Sequence, residues 1–245
     1  MSNIEVSQDA KVSVFRINRP DKLNALDRQA VSDLRCALED FERSTQRVAV
    51  IAARGEKAFC AGADLSDPPD FWRCVPSLGV TTRKPVIAAV HGWCIGGGLL
   101  FPIFADLCVA AEGARFLYPD AKLGLSGGIV AALAARVPHK AAMEMILLGR
   151  TVTARRAYEI GLVNEVVADG EQVDAALRMA HELAAMAPLV LSTLKSFVEE
   201  SVLPKGPAER MIQAQRMLET IGESADRREG MAAHREGRPP DFHGR

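Results

Sequence analysis

The sequence predicts a layered, solenoid-like α/β fold, and three observations carry that expectation. Short apolar strands and helices recur in a strand–strand–helix rhythm over the first half of the chain, without any visible sequence repeat. Two of the strands run into glycine turns, Ala61-Gly62-Ala63 and Gly96-Gly97-Gly98. From Gly128 onward the pattern is mainly helical.

The elements follow in order. Lys11 to Asn18 alternates and is rich in Val and Ile, so it reads as a strand, with Ile4 to Ser7 as its hairpin partner. Asp27 is placed to N-cap a helix running to about Arg43, with Val31, Leu34, Leu38 and Phe41 at helical spacing. Val48 to Ala53 is an apolar strand, and Ala58-Phe59-Cys60 a short extended piece that enters the first glycine turn. Ser66 to Thr82, broken by Pro68, Pro69, Pro76 and Gly79, is a loop with one helical turn near Phe71-Trp72. Pro85 to Val90 is a covered strand, His91-Gly92 breaks it, and the second glycine turn opens an apolar helix from Leu99 to Ala105. Asp106 to Ala110 and Arg115 to Tyr118 are strands. Thr153 and Gly161 cap a later helix at its two ends, and Val163 to Val167 is a last strand. Helices then cover about Gln172 to Met186, Leu189 to Glu200, Ala208 to Ile221 and Ala225 to Arg235. The last three carry apolar stripes, such as Met211, Met217, Leu218 and Ile221, that they cannot bury alone. The division expected is a core over 1–187 and a helical oligomerisation region over 188–245.

Composition narrows the function classes. The chain has 245 residues, 48% of them apolar, and a formal net charge of −1, so a large core is available and no nucleic-acid partner is implied. Its five cysteines are scattered, with no C-x-x-C pair, which suggests neither a metal ribbon nor a disulfide framework and fits a reducing, cytoplasmic setting. The N-terminus has no signal-peptide pattern and no apolar stretch reaches membrane-span length. Gly92 followed by Gly96 to Gly98 misses the G-x-G-x-x-G dinucleotide pattern, and no Lys follows as in a phosphate loop. Ser126 has no evident His and Asp partners, and the five histidines have no ligand spacing, so a serine hydrolase or metal site is not indicated.

The Gly96 turn has two readings. Glycines at a helix start leave N–H groups free for an anion or for charge that develops during a reaction. They also let a helix pack closely on its strand. The stretch alone does not choose between them.

Several motifs in order identify a resemblance: Asn18-Arg19-Pro20 with Asn24-Ala25-Leu26, Ala58 to Leu65 (AFCAGADL), Lys84 to Gly98 (KPVIAAVHGWCIGGG), Ala105-Asp106, Ala142-Met143-Glu144-Met145, Gly161 to Asn164, Glu229-Gly230-Met231 and the tail RPPDFHGR. Over nearly its whole length the chain resembles the crotonase (enoyl-CoA hydratase/isomerase) superfamily. The resemblance implies a spiral of ββα units, a C-terminal helical trimerisation region, and trimers that often pair into hexamers. It implies a coenzyme A thioester as substrate and no separate cofactor or metal. The thioester carbonyl would sit between the N–H groups of Ala63 and Gly97, where an enolate forms. Lys22, Ala61, Asp64 and Leu65 fall where the family meets coenzyme A, although Lys22 is equally an ordinary exposed lysine and Asp64 a brace for its loop. Trp72, Leu100 and Leu125 fall at the acyl pocket, Trp72 being either pocket wall or core.

The chain departs from the family at the acid/base positions. Hydratases of the family use two glutamates; the first position here is Leu100 and the second Asp120. One carboxylate suffices to remove a proton beside a thioester and return it elsewhere, as the family's double-bond isomerases do. Asp120 would then be the sole acid/base, with a pKa raised by its apolar neighbours; its other reading is a turn residue after Pro119. The segment between Asp64 and Lys84 is shorter than usual, and Leu218 and Gly237 replace residues that commonly meet adenine, leaving Arg235 or Arg238 as substitutes. The readings are therefore an acyl-CoA lyase or isomerase, a non-catalytic acyl-CoA binder on the same scaffold, and a thioester hydrolase.

Overall fold

The computed structural model describes residues 2–245 as two sheets wound together, with helices outside them. The hairpin β1 (Ile4–Asp9) and β2 (Val12–Ile17) leads, through a 3₁₀ turn at Pro20–Lys22, into α1 (Arg28–Arg43). Asp27 caps that helix, accepting from the Ala30 N–H at 2.8 Å, and the predicted stripe of Val31, Leu34, Leu38 and Phe41 is its buried face. Then come β3 (Val48–Ala53), β4 (Ala58–Cys60), a 3₁₀ turn at Phe71–Cys74, β5 (Val86–Val90), β6 (Trp93–Ile95), a 3₁₀ turn at Gly96–Leu99 and α2 (Leu100–Phe104). They are followed by β7 (Leu107–Ala111), β8 (Arg115–Leu117), α3 (Asp120–Leu123), a 3₁₀ stretch at Ile129–Ala135, α4 (His139–Leu148), β9 (Val152–Thr153), α5 (Ala154–Glu159) and β10 (Glu165–Val167). The chain ends in α6 (Gln172–Ala185), α7 (Pro188–Phe197) with a π turn at Val198–Val202, α8 (Pro207–Glu223) and α9 (Ala225–Glu236).

From β3 to β8 consecutive strands go to different sheets. One sheet has the order β1-β2-β3-β5-β7-β10 and the other β4-β6-β8-β9. The ladders from β2 to β10 in the first sheet, and from β4 to β8 in the second, are parallel. Each turn of the spiral thus lays one strand in each sheet before the chain leaves for a helix or loop, which is the ββα winding. Parallel strands covered on both faces require continuous apolar sequence. Val48 to Ala52 and Val86 to Val90 supply it and are fully buried.

Two strands depart from the sequence reading. Trp93–Ile95, read as part of a turn, is β6, and it sits between β4 and β8 in the second sheet. Val152–Thr153 is β9, a two-residue edge strand. Both are too short to show a period-2 pattern, so ladder partners rather than local propensity decide them.

Several motifs have purely structural jobs. The Asp106 carboxylate accepts from the Val86 N–H at 2.7 Å and pairs with Lys195 at 2.7 Å, tying β5 to α7. Asn164 exchanges two hydrogen bonds with the Cys108 backbone, both 2.8 Å, which aligns β10 beside β7. In the tail, Arg238 clamps Glu229 and pulls its carboxyl down to about 2. Arg238 also pairs with Glu236 at 2.6 Å, so its guanidinium is already occupied.

Candidate active site

The two glycine turns meet. Gly62 follows β4 with φ +93°, and a Cβ there would stand 2.9 Å from the Ile95 carbonyl oxygen and 3.0 Å from the Gly97 nitrogen. Only glycine accepts both that conformation and that proximity. The Asn18-to-Leu26 motif holds the first turn from the other side. Leu26 donates to the Gly62 carbonyl and accepts from the Asp64 N–H, each at 2.8 Å, while Ala61 donates to Leu23 at 3.0 Å. The buried Asn24 amide donates to Arg54 and Ala58 carbonyls at 2.8 and 2.7 Å. Arg19 bridges Asp27 at 2.6 Å and Asp64 at 3.3 Å. Ala63 is therefore pinned on both sides, while its own N–H is spent on no hydrogen bond among the described residues.

The second turn leaves its N–H groups free for a different reason. The first N–H groups of any helix lack an intrahelical acceptor, and Gly97 is the second residue of the 3₁₀ turn that leads into α2. The turn's glycines divide the two readings between them. A Cβ on Gly98 would lie 2.3 Å from the Cys60 carbonyl oxygen, so this glycine serves clearance. At Gly97 a Cβ would stand 3.1 Å from the Phe71 ring, and its nitrogen lies at the junction of the turns, 3.0 Å from where a Cβ on Gly62 would be.

A cavity of about 390 Å³ opens over this junction. Ala61, Ala63, Leu65, Trp72, Gly97, Leu100, Asp120 and Leu125 all line it. Lys22 and Asp64 do not. Lys22 is exposed on the 3₁₀ turn outside the first glycine loop. The Asp64 carboxylate is taken up by Arg19 and by the Ser66 N–H and hydroxyl, at 3.0 and 2.5 Å, so its part is to brace the turn. Trp72 is partly buried against the core with its ring under the Arg73 guanidinium at 4.7 Å, so it is both wall and packing. The sequence reading missed Phe71, Tyr118, Met211 and Ile212. Tyr118 had a signal, standing two residues before Asp120. Met211 and Ile212 come from α8, and nothing local in the sequence connects that helix to the glycine turns.

Asp120 begins α3 and is 9% exposed. Its Oδ1 lies 3.7 Å from where a Cβ on Gly96 would be, so the carboxyl overlooks the turn. Burial pushes its pKa up, and a hydrogen bond from Tyr118 pulls it partly back. Leu100, at the start of α2, is 5% exposed and presents only hydrocarbon. The other acidic residue at the cavity, Asp70, is exposed and paired with Arg73 at 3.1 Å.

The enoyl-CoA hydratase/isomerase family model matches residues 7–70 and 76–245. The chain belongs to the enoyl-CoA hydratase/isomerase family. It is 32% identical to the (E)-benzylidenesuccinyl-CoA hydratase of Thauera aromatica, with 98% of each chain covered. It is 30% identical to the 2,3-dehydroadipyl-CoA hydratase of Escherichia coli K12 over the full length of both. Among crystal structures, carnitinyl-CoA hydratase from Mycobacterium avium superposes with a TM-score of 0.77 at 32% identity, covering 99% of both chains. This membership accounts for the crotonase winding of the sheets and makes the chain one of a family of hydratases and lyases acting on acyl-CoA. The match to the family breaks at residues 71–75, where this member folds the short turn that sets Phe71 against Gly97.

A larger cavity, about 820 Å³, lies between the core and α7–α8. It holds neither glycine turn nor Asp120, and several of its charged groups are engaged: Lys195 pairs with Asp106, Glu199 accepts from Ser77 at 2.6 Å, and Arg136 meets Glu209 at 3.4 Å. No cluster of three or more His, Cys, Asp or Glu side chains is placed to hold a metal ion, and no helix is long and apolar enough to cross a membrane, among the described residues.

Proposed function

We propose that the protein is an acyl-CoA isomerase-type enzyme that stabilises a thioester enolate between Ala63 and Gly97 and moves one proton with Asp120. The observation that carries this reading is the make-up of the cavity: two unspent backbone N–H groups and one buried carboxyl, with Leu100 where the family's other carboxylate would stand. The thioester oxygen accepts from the two N–H groups. The Asp120 carboxylate removes a proton from carbon conjugated to the carbonyl, and the electron pair shifts onto the oxygen. The enolate's charge then rests on the preorganised donors. Asp120 returns the proton at a different carbon, so the double bond moves and the carboxylate is regenerated. Hydration instead requires a water held by two carboxylates, and the Leu100 side chain offers no acceptor for it.

Exposed apolar side chains on α7 and α8 support a homotrimer or a dimer of trimers. Leu189 is 80% exposed and Met217 73%, with Phe197, Leu218 and Ile221 also uncovered. Other copies of the chain would cover these faces. Sedimentation equilibrium at micromolar concentration should show three or six chains; a monomer would remove this part of the reading.

A panel of acyl-CoA thioesters, scored separately for binding and turnover, tests the chemistry. Isomerisation of a 3-enoyl-CoA should outpace hydration of crotonyl-CoA. Faster hydration would contradict the role given to Leu100. Tight binding of every thioester with no turnover would favour a non-catalytic acyl-CoA binder, the reading that Leu100 itself supports.

A further inference from the structure

The direction of the Ala63 N–H is set from behind. It shares a trans peptide with the Gly62 carbonyl, and in a trans peptide the N–H and C=O point opposite ways. The Gly62 carbonyl accepts from the Leu26 N–H at 2.8 Å, so the Ala63 N–H points directly away from Leu26, and Ala63 lines the cavity. The Leu26 carbonyl accepts in turn from the Asp64 N–H at 2.8 Å, which makes Leu26 and Ala63 partners in an isolated parallel bridge. Both flanks of that bridge are held by one side chain. The Arg19 guanidinium donates to the Ala25 carbonyl on one side of Leu26. Through Nη2 it pairs with Asp27 on the other side at 2.6 Å, and with Asp64, the neighbour of Ala63, at 3.3 Å.

We propose that Arg19 is the positioning residue of the Ala63 donor: it clamps the segment Ala25 to Asp27 onto Asp64 and so fixes the angle at which the Ala63 N–H meets a thioester oxygen. This rests on the reading of Ala63 and Gly97 as the two donors to that oxygen. Each acidic partner divides its carboxylate to make room for the arginine. Asp27 uses Oδ1 to cap α1 at Ala30 and Oδ2 for Arg19, while Asp64 uses Oδ1 for Ser66 and Oδ2 for Arg19. The Arg19 main chain is itself fixed. Its N–H donates to Asn24 Oδ1 and its carbonyl accepts from the Asn24 N–H, both at 2.9 Å, and the Asn24 amide is tied to the Ala58 carbonyl at the start of β4. All three charged side chains are largely buried. Without the guanidinium, the Oδ2 atoms of Asp27 and Asp64 would face the same space, and their repulsion would part the bridge. A planar fork reaches one carbonyl and two carboxylates at once, whereas a lysine ammonium supplies the charge without that geometry. A donor aimed beforehand stabilises charge as it develops, so tipping it away costs rate more than affinity.

Infrared spectroscopy of bound hexanoyl-CoA, labelled with carbon-13 at the thioester carbonyl, reads that alignment directly. The saturated acyl group has no double bond to move, so the test needs no turnover. In the wild type the carbonyl band should fall in frequency on binding, because two N–H groups polarise it. In Arg19→Gln the band should return most of the way to its free position, and in Arg19→Lys part of the way. On a thioester that the wild type converts, kcat of Arg19→Gln should fall about ten- to a hundred-fold, less than the loss of a whole oxyanion donor, with KM changed far less. A folded Arg19→Gln protein that binds hexanoyl-CoA with the wild-type band position overturns the proposal, even if it melts lower, since Arg19 would then be a brace and nothing more. Should Arg19→Gln fail to fold, Asp64→Asn takes its place: it keeps the side-chain shape and removes the charge that Arg19 holds beside Ala63, and an unmoved band there overturns the proposal. A wild type that binds no hexanoyl-CoA, or binds it without lowering the band, defeats the two-donor reading and the Arg19 assignment with it.

Discussion

The two sides of the cavity are built on different principles. One side is main chain: the Gly62 and Gly97 turns, pressed together where no side chain fits. The other is side chain: Leu100, Tyr118 and Asp120, projected from α2 and from the segment after β8. Main-chain chemistry depends on backbone shape, and the shape here tolerates only glycine at Gly62 and Gly98. It therefore leaves an imprint in sequence that cannot drift without loss of the turn. Side-chain chemistry can be redirected by a single substitution that keeps the packing, and Leu100 is such a residue: well buried, hydrophobic, and silent in proton transfer. On the proposed reading, the capacity to hold an enolate lies on the rigid side and the choice of reaction on the other.

Asp120→Asn should separate the sides most sharply. Removing the proton carrier should cost about 10²–10⁴-fold in turnover, while calorimetry with a non-reacting acyl-CoA should show binding little changed, since the main-chain donors are intact. Turnover preserved in the variant, on any thioester that the wild type converts, would take Asp120 out of the mechanism.

The complementary variant, Gly62→Ala, attacks the main-chain side. The alanine Cβ would press on the Ile95 carbonyl and the Gly97 nitrogen, and φ +93° is strained for any L-residue. Turnover should drop by about 10²–10³-fold, as when an oxyanion donor is lost. Unlike Asp120→Asn, it should also weaken thioester binding and lower thermal stability. Full binding in Gly62→Ala would show that the turns hold the carbonyl less closely than the packing implies.

That asymmetry also governed what the sequence made legible. The glycine turns, the Asp27 cap and the buried strands could all be read locally, because each rests on sterics or capping at one place, whereas the contrast of Leu100 with Asp120 came only through the resemblance to the family. β6 and β9 could not, since strands of three and two residues exist only through their ladder partners. Met211 and Ile212 could not be joined to the site, because α8 reaches it only after the chain has wound the whole spiral. Lys22 carried the right charge near the right motif, yet the turn at Pro20–Lys22 leaves it outside the cavity.

Leu100→Glu would give the side-chain half a second carboxylate. If the main-chain half is generic, hydration of crotonyl-CoA should rise from a low base, by about ten-fold or less, because the new carboxyl lacks a partner to orient it. The position is 5% exposed, so the variant should also be less stable than the wild type. Hydration that does not rise in a folded, thioester-binding Leu100→Glu protein would mean that the identity of this residue does not select the reaction.

The smallest effect expected is on stability, and its sign is the informative part. Burial raises the pKa of Asp120 in the folded state above its unfolded value, so the folded protein binds this proton more tightly than the unfolded chain does. The contribution is fully favourable below the ordinary aspartate range, near pH 4. It is lost as pH rises through the folded pKa, and at neutral pH the charged carboxyl costs stability. Asp120→Asn removes that cost and keeps nearly the same side-chain shape. Its melting temperature at pH 7 should exceed that of the wild type by about 1–3 °C, the scale of a fraction of a kcal/mol in a chain of this size. The difference should shrink toward zero as the pH falls to about 4. A variant that loses turnover while gaining stability marks a group retained at a cost to the fold, the opposite of Gly62→Ala, where both properties should fall together. A lower melting temperature for Asp120→Asn at pH 7 would mean that the ionised carboxyl stabilises the loop after β8, and the contrast between the two sides of the cavity would then be one of chemistry alone.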